Sequence, residues 1–97
     1  MGNGYQVPVP VNLSQLIEQV KREVREPQAP YFDNADFEYY LEKNGYDVKA
    51  TIYEMLIIKS EDSTIKVSGL DTADTSGYFK RLASRYKQFN SGVLKGG

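Results

Sequence analysis

The stretch DVKATIYEMLIIKS, residues 47–60, decides the fold. Val48, Ala50, Ile52, Tyr53, Met55, Leu56, Ile57 and Ile58 leave it little polar surface, so a helix made from it must be covered on most sides. Asp47 stands where such a helix needs its N-cap. The sequence therefore predicts a central, buried helix here, with Ile52 and Leu56 in the core.

On the N-terminal side, NADFEYYLEKNG predicts a short helix. Phe37, Tyr40 and Leu41 make an i, i+3, i+4 stripe, Asp33 or Asn34 can cap it, and Asn44-Gly45 supplies a left-handed stop. Before it, EPQAPYF holds two prolines within four residues, which turns the chain and leaves Tyr31 and Phe32 to cap the core. Leu13, Leu16, Ile17, Val20 and Val24 then fall at helical spacing, from an N-cap at Asn12 to a stop at Pro27. The opening MGNGYQVPVPV carries no charged side chain and cannot nucleate a helix. Its alternating Tyr5, Val7, Val9 and Val11 suit docking along another surface, and the segment reads equally as an arm or a disordered leader.

On the C-terminal side, SEDSTIKVSGLDTADTSG breaks the helical period. Ile65 and Val67 alternate around Lys66, which predicts a short strand or an extended loop at 64–68. A last helix is expected from Thr75 or Ser76, with Tyr78, Phe79, Leu82, Ala83 and Tyr86 on one side, Phe89 extending the stripe, and an end at Asn90-Ser91-Gly92. Leu82 is the core residue at its centre. The expected fold is all-α: a small bundle of three main helices plus a short one, with an extended loop or short β segment before the last. The expected organisation is an N-terminal arm at 1–11, a helical domain at 12–91 and a flexible tail at 92–97.

Composition narrows the function classes. With 97 residues there is room for one core and not for two. The chain has neither cysteine nor histidine, which removes disulfides, thiolate chemistry, imidazole bases and the usual zinc sites. A non-enzymatic protein with no cofactor, no metal and no small-molecule substrate is expected. The longest apolar run, Met55 to Ile58, is far too short to cross a bilayer, and the N-terminus lacks the order of a signal peptide, so no membrane partner is expected. Asp36, Glu42, Asp47 and Glu54 do not make a cation site: DNADFEYYLEKNG lacks the central glycine and the terminal glutamate that a calcium loop needs. Caps and solvated faces account for them.

Charge is split along the chain. Residues 1–74 carry seven Lys/Arg against thirteen Asp/Glu, whereas residues 75–97 carry Lys80, Arg81, Arg85, Lys87 and Lys95 with no acid. Such a split can orient one copy against the next or draw an anionic partner to one end. Clustered Lys80, Arg81 and Arg85 could also track a nucleic-acid backbone, but the neighbouring aromatics fall on the core side of the helix. Eight tyrosines are too many for one small core; Tyr39, Tyr40, Tyr46 and Tyr53 cannot all point inward, and some are expected to face a partner.

Taken together, VKREVREPQAPYFDNADFEYYLEKNGYDVKATIYEML, the IKVSG loop and YFKRLASRYKQ resemble the head-to-tail connector (adaptor) proteins of tailed bacteriophages. The resemblance lies in order and spacing: an arginine nine residues before Tyr/Phe-Phe-Asp/Ser, an acidic short helix, a Gly-x-Asp-Val turn, an apolar helix, a loop, and a basic helix ending in Leu-Ala-x-x-Tyr/Arg. It runs from Val20 to Lys87, about two-thirds of the chain. Ile57 and Ile58 depart from it, standing where such proteins often have alanine. The Gly45-Tyr46-Asp47-Val48 segment is also similar to the third-helix start of ubiquitin-associated domains, but EPQAPYF replaces the loop those domains need.

The connector resemblance implies a homo-oligomeric, twelvefold ring in the virion neck, made in the host bacterial cytoplasm. Its implied partners are the portal protein and a tail-side neck or stopper protein, with DNA passing through the lumen without sequence-specific binding. The candidate inter-subunit or portal contacts are the arm residues Tyr5, Val7 and Val9, the acidic Asp36, Glu38 and Glu42, the loop residues Ile65 and Val67, and the basic Lys80, Arg81, Arg85 and Lys87. A small nucleic-acid-binding regulator using residues 80–87 is the alternative, and a peptide-binding module is a third reading.

Overall fold

Four helices run through the computed structural model, which describes residues 8–89: α1 (Leu13–Glu23), α2 (Asn34–Lys43), α3 (Val48–Ser60) and α4 (Thr72–Ser84), closed by a 3-10 turn at Lys87–Phe89. The fold is all-α. The second helix is the shortest, with 10 residues against 11 in α1 and 13 in α3 and α4, as the expected bundle of three main helices and a short one requires.

The central position of α3 follows from its composition. It packs along α4 and also contacts α1, α2 and the closing turn, while α1 and α2 pack on each other. Asp47 caps it, its side chain accepting from the Ala50 N–H at 3.0 Å. Ile52, Met55 and Leu56 are buried, and Phe37 and Leu41 of α2, Val20 and Val24 of α1, and Phe79 and Leu82 of α4 complete the core.

Helix ends are set by capping chemistry. α2 begins with a capping box, in which Asp36 N–H donates to Asp33 and Asp33 N–H donates back to the Asp36 carboxylate. It ends on Gly45 at φ 64°, with Tyr46 N–H reaching back to Leu41 O at 2.7 Å and Gly45 N–H to Glu42 O at 3.0 Å. α1 ends the same way, but with Arg25 at φ 65° in the glycine position: Glu26 N–H donates to Lys21 O at 2.9 Å and Arg25 N–H to Arg22 O at 3.2 Å. The left-handed turn at Arg25, and not Pro27, therefore stops this helix. Asn12 occupies its N-cap position, but its side chain accepts no capping hydrogen bond.

Of the two readings open for residues 64–68 the loop is the one that occurs, with no strand there or elsewhere among the described residues; the start of α4 is corrected, to Thr72 rather than Thr75 or Ser76. Asp71 is its cap, accepting from Asp74 N–H at 2.8 Å, while Thr75 is buried and its hydroxyl donates to the Asp71 carbonyl at 2.8 Å. α4 also ends early, at Ser84, and Tyr86 reaches the core from the turn that follows.

A buried ion pair ties the α1–α2 connection to the last turn of α3. Lys59 is completely enclosed, and its ammonium donates to Val24 O at 2.8 Å, Ala29 O at 2.6 Å and Glu26 Oε2 at 2.8 Å, with the Phe79 ring centroid 5.0 Å away. All three N–H groups of the ammonium are satisfied. The other Glu26 oxygen accepts from Tyr31 N–H at 2.9 Å and Phe32 N–H at 3.1 Å. Burial pushes the Lys59 pKa down from 10.5, against the opposing pull of Glu26.

Candidate assembly surfaces

The outer face of α2 combines acid with exposed aromatic rings. Glu38 and Glu42, one helical turn apart, are exposed. Asp36 is half-buried and committed to the capping box. Beside them runs a row of rings in edge-to-face contact: Tyr31 on Phe32 at 4.9 Å between centroids, Phe32 on Tyr40 at 6.1 Å, and Tyr40 on Tyr39 at 4.9 Å. Phe37 supports Phe32 from within at 5.7 Å. The inner rings are half-buried, whereas Tyr31 is 41% and Tyr39 58% exposed.

Hydrogen bonds fix one end of that row. The Tyr31 hydroxyl donates to Asp62 at 2.6 Å, and the other Asp62 oxygen accepts from the Thr64 N–H at 2.8 Å and hydroxyl at 2.6 Å. These bonds hold the Asp62 carboxyl below its usual range, Thr64 contributing most, and the bond to Asp62 raises the Tyr31 phenol. The Tyr40 phenol is raised by burial first and then by Glu54. Lys43 sits 5.6 Å from the Tyr40 ring centroid and is paired with Glu54, a contact that raises its pKa.

The outer face of α4 is its opposite. Lys80, Arg81 and Arg85 are exposed, as is Lys87 in the closing turn, and none forms an ion pair among the described residues. Tyr78 and Tyr86 pack half-buried against the core beside the buried Phe79; Tyr78 accepts from Arg25 Nε at 3.1 Å, and the Tyr86 hydroxyl donates to Glu23 at 2.9 Å. α2 and α4 each pack on α3 and share no substantial contact, so a chain's own acidic and basic faces do not meet.

The loop candidates belong elsewhere. Ile65 is only 6% exposed and Val67 packs half-buried against the same core, so these two residues anchor the connection instead of presenting it to a partner. Of the arm candidates, Val9 is 63% exposed, and Tyr5 and Val7 lie outside the described residues. Among the four tyrosines weighed for a partner role, Tyr40, Tyr46 and Tyr53 are half-buried against the core and Tyr39 is the one left open.

A shallow cleft of about 580 Å³ lies between α1 and the start of α2, lined by Lys21, Arg22, Pro27, Pro30 and Phe32 among others. Among the described residues no helix is long and apolar enough to cross a membrane. Comparison with known proteins finds no matching family model, no similar curated protein and no similar solved structure.

Proposed function

We propose that this chain is a structural head-tail connector of a tailed phage or prophage, a subunit of a homo-oligomeric ring that docks on the portal and joins capsid to tail. The observation that carries the proposal is the pair of oppositely charged outer faces, Glu38 and Glu42 on α2 against Lys80, Arg81 and Arg85 on α4, which cannot satisfy each other within one chain. Contact between unlike patches is head-to-tail, and such contacts close into rings when the rotation allows. The sequence resemblance supplies the location, the virion neck, and the partners: the portal on one side, a stopper on the other, and DNA in the lumen.

The test is light scattering on concentrated protein, followed by electron microscopy with and without portal. Closed rings of one stoichiometry, alone or on the portal, are the expected result. The alternative, a nucleic-acid-binding regulator, draws on the exposed basic face of α4. A monomer or dimer that binds DNA with steep salt dependence and never forms rings would replace the first reading with this one.

A further inference from the structure

We propose that the aromatic row Tyr31, Phe32, Tyr40 and Tyr39, with Glu38 and Glu42 beside it, is the socket that receives Arg81 and Arg85 of a second copy of this chain. The proposal rests on the ring reading and names the contact within it.

The socket is built to take something. Tyr39 is 58% and Tyr31 41% exposed, yet both rings are held: Tyr39 by its edge contact with Tyr40, and Tyr31 by Phe32 and the hydrogen bond to Asp62. Rings fixed before contact lose little conformational freedom when a partner arrives. Acid groups lie close to these rings: Asp62 accepts from the Tyr31 hydroxyl, and Glu54 acts on the Tyr40 phenol against the opposing pull of Lys43. Two of the nearby cations are already paired, Lys43 with Glu54 and Lys21 with Glu18.

The occupant follows from charge and shape. A guanidinium is planar, weakly hydrated and stacks on aromatic faces while its N–H groups reach carboxylates, which is the combination this face offers. Arg81 and Arg85 lie one helical turn apart on the exposed side of α4 and form no ion pair among the described residues. Because α2 and α4 share no substantial contact in one chain, the pairing can be made only between copies. It leaves each copy with one socket and one plug to offer onward.

The chain has no cysteine, so an engineered pair reports this contact without background. Ala35→Cys, one helical turn before Tyr39, and Ser84→Cys flank the socket and the plug and leave the rings, the carboxylates and the arginines in place; both positions are exposed. Under mild oxidation this double variant should give a ladder of covalent multimers, whereas Gln19→Cys with Ser84→Cys should not. Adding Tyr39→Ser should cut the ladder several-fold, each exposed cation–π contact corresponding to roughly two- to fivefold in association. Tyr39→Phe should preserve it. A ladder indifferent to Tyr39→Ser overturns the aromatic socket. No ladder, from a protein that light scattering shows to be oligomeric, overturns the contact and leaves the ring reading standing. A chain monomeric at every concentration, with and without portal, removes both.

Discussion

Two lysine–glutamate pairs bracket α3, and they differ in what surrounds them. Lys59 and Glu26 are sealed beneath the α1–α2 connection with every ammonium N–H bonded, whereas Lys43 and Glu54 meet at the surface, with the lysine side chain 48% exposed. The same residue types therefore do different work. The buried pair dictates the path of residues 24–32 over α3, because removing either charge strands the other away from water. The surface pair sits in high dielectric, where Coulomb attraction and the entropy of ordering long side chains nearly cancel.

Breaking the buried pair should have the largest effect. Lys59→Met leaves the Glu26 carboxylate without its cation and is expected to cost about 3–5 kcal/mol, a large part of what a domain of this size has. Chemical denaturation reads it directly. Adding Glu26→Gln should recover part of the loss, since no unpaired charge then remains buried; a double variant no better than the single would mean that the lost hydrogen bonds, and not the charge, dominate.

Core packing should come next. Ile65→Ala is expected to cost about 2–5 kcal/mol, because the connector side chain is buried in the main cluster. An unchanged melting temperature would return this loop to the surface. Leu56→Ala falls in the same range of about 2–5 kcal/mol.

A smaller effect is expected from alkaline titration. Burial lowers the Lys59 pKa from 10.5, so between the lowered value and 10.5 the unfolded chain binds more protons and stability rises with pH. Tyr31, Tyr40 and Tyr86 are shifted up from 10.0, so the stability they contribute is present below that value and is lost as pH rises through their folded-state values. Subtracting the profile of Lys59→Met from that of the wild type should isolate the rising component; a flat difference would show that Lys59 is not desolvated. The smallest effect belongs to the surface pair. Lys43→Ala should cost no more than about 1 kcal/mol, and a loss comparable to that of Lys59→Met would erase the distinction between the two sites.

Much of this was legible in the sequence, and the failures have physical causes. The α3 hub, the Asp47 cap and the Gly45 stop follow from local patterns, and all three are present. Lys59 was not legible: it continues the stripe of Ile52, Met55 and Leu56, but a lysine's charge argues for the surface, and the partner that keeps it inside, Glu26, lies 33 residues away in the sequence. Ile65, expected at a partner contact, is buried instead, because one apolar side chain suffices to anchor the α3–α4 loop. The start of α4 was misplaced because DTADTS offers several capping residues, and only the reach of Asp71 to Asp74 N–H selects among them. The acidic and basic faces were readable from helical spacing. Which tyrosine would stay open was not, because Phe32 decides it by packing on Tyr40 and leaving Tyr39 outside.

Charge reversal tests the proposed assembly most directly. Lys80, Arg81 and Arg85 changed together to Glu should abolish assembly while circular dichroism keeps its helical signal, since all three are exposed. Changing Glu38 and Glu42 to Lys in the same chain, and leaving the capping Asp36 intact, should restore it. A reversed chain that still forms the wild-type oligomer, or one whose assembly the second reversal fails to recover, would contradict the α2-to-α4 contact on which the account depends.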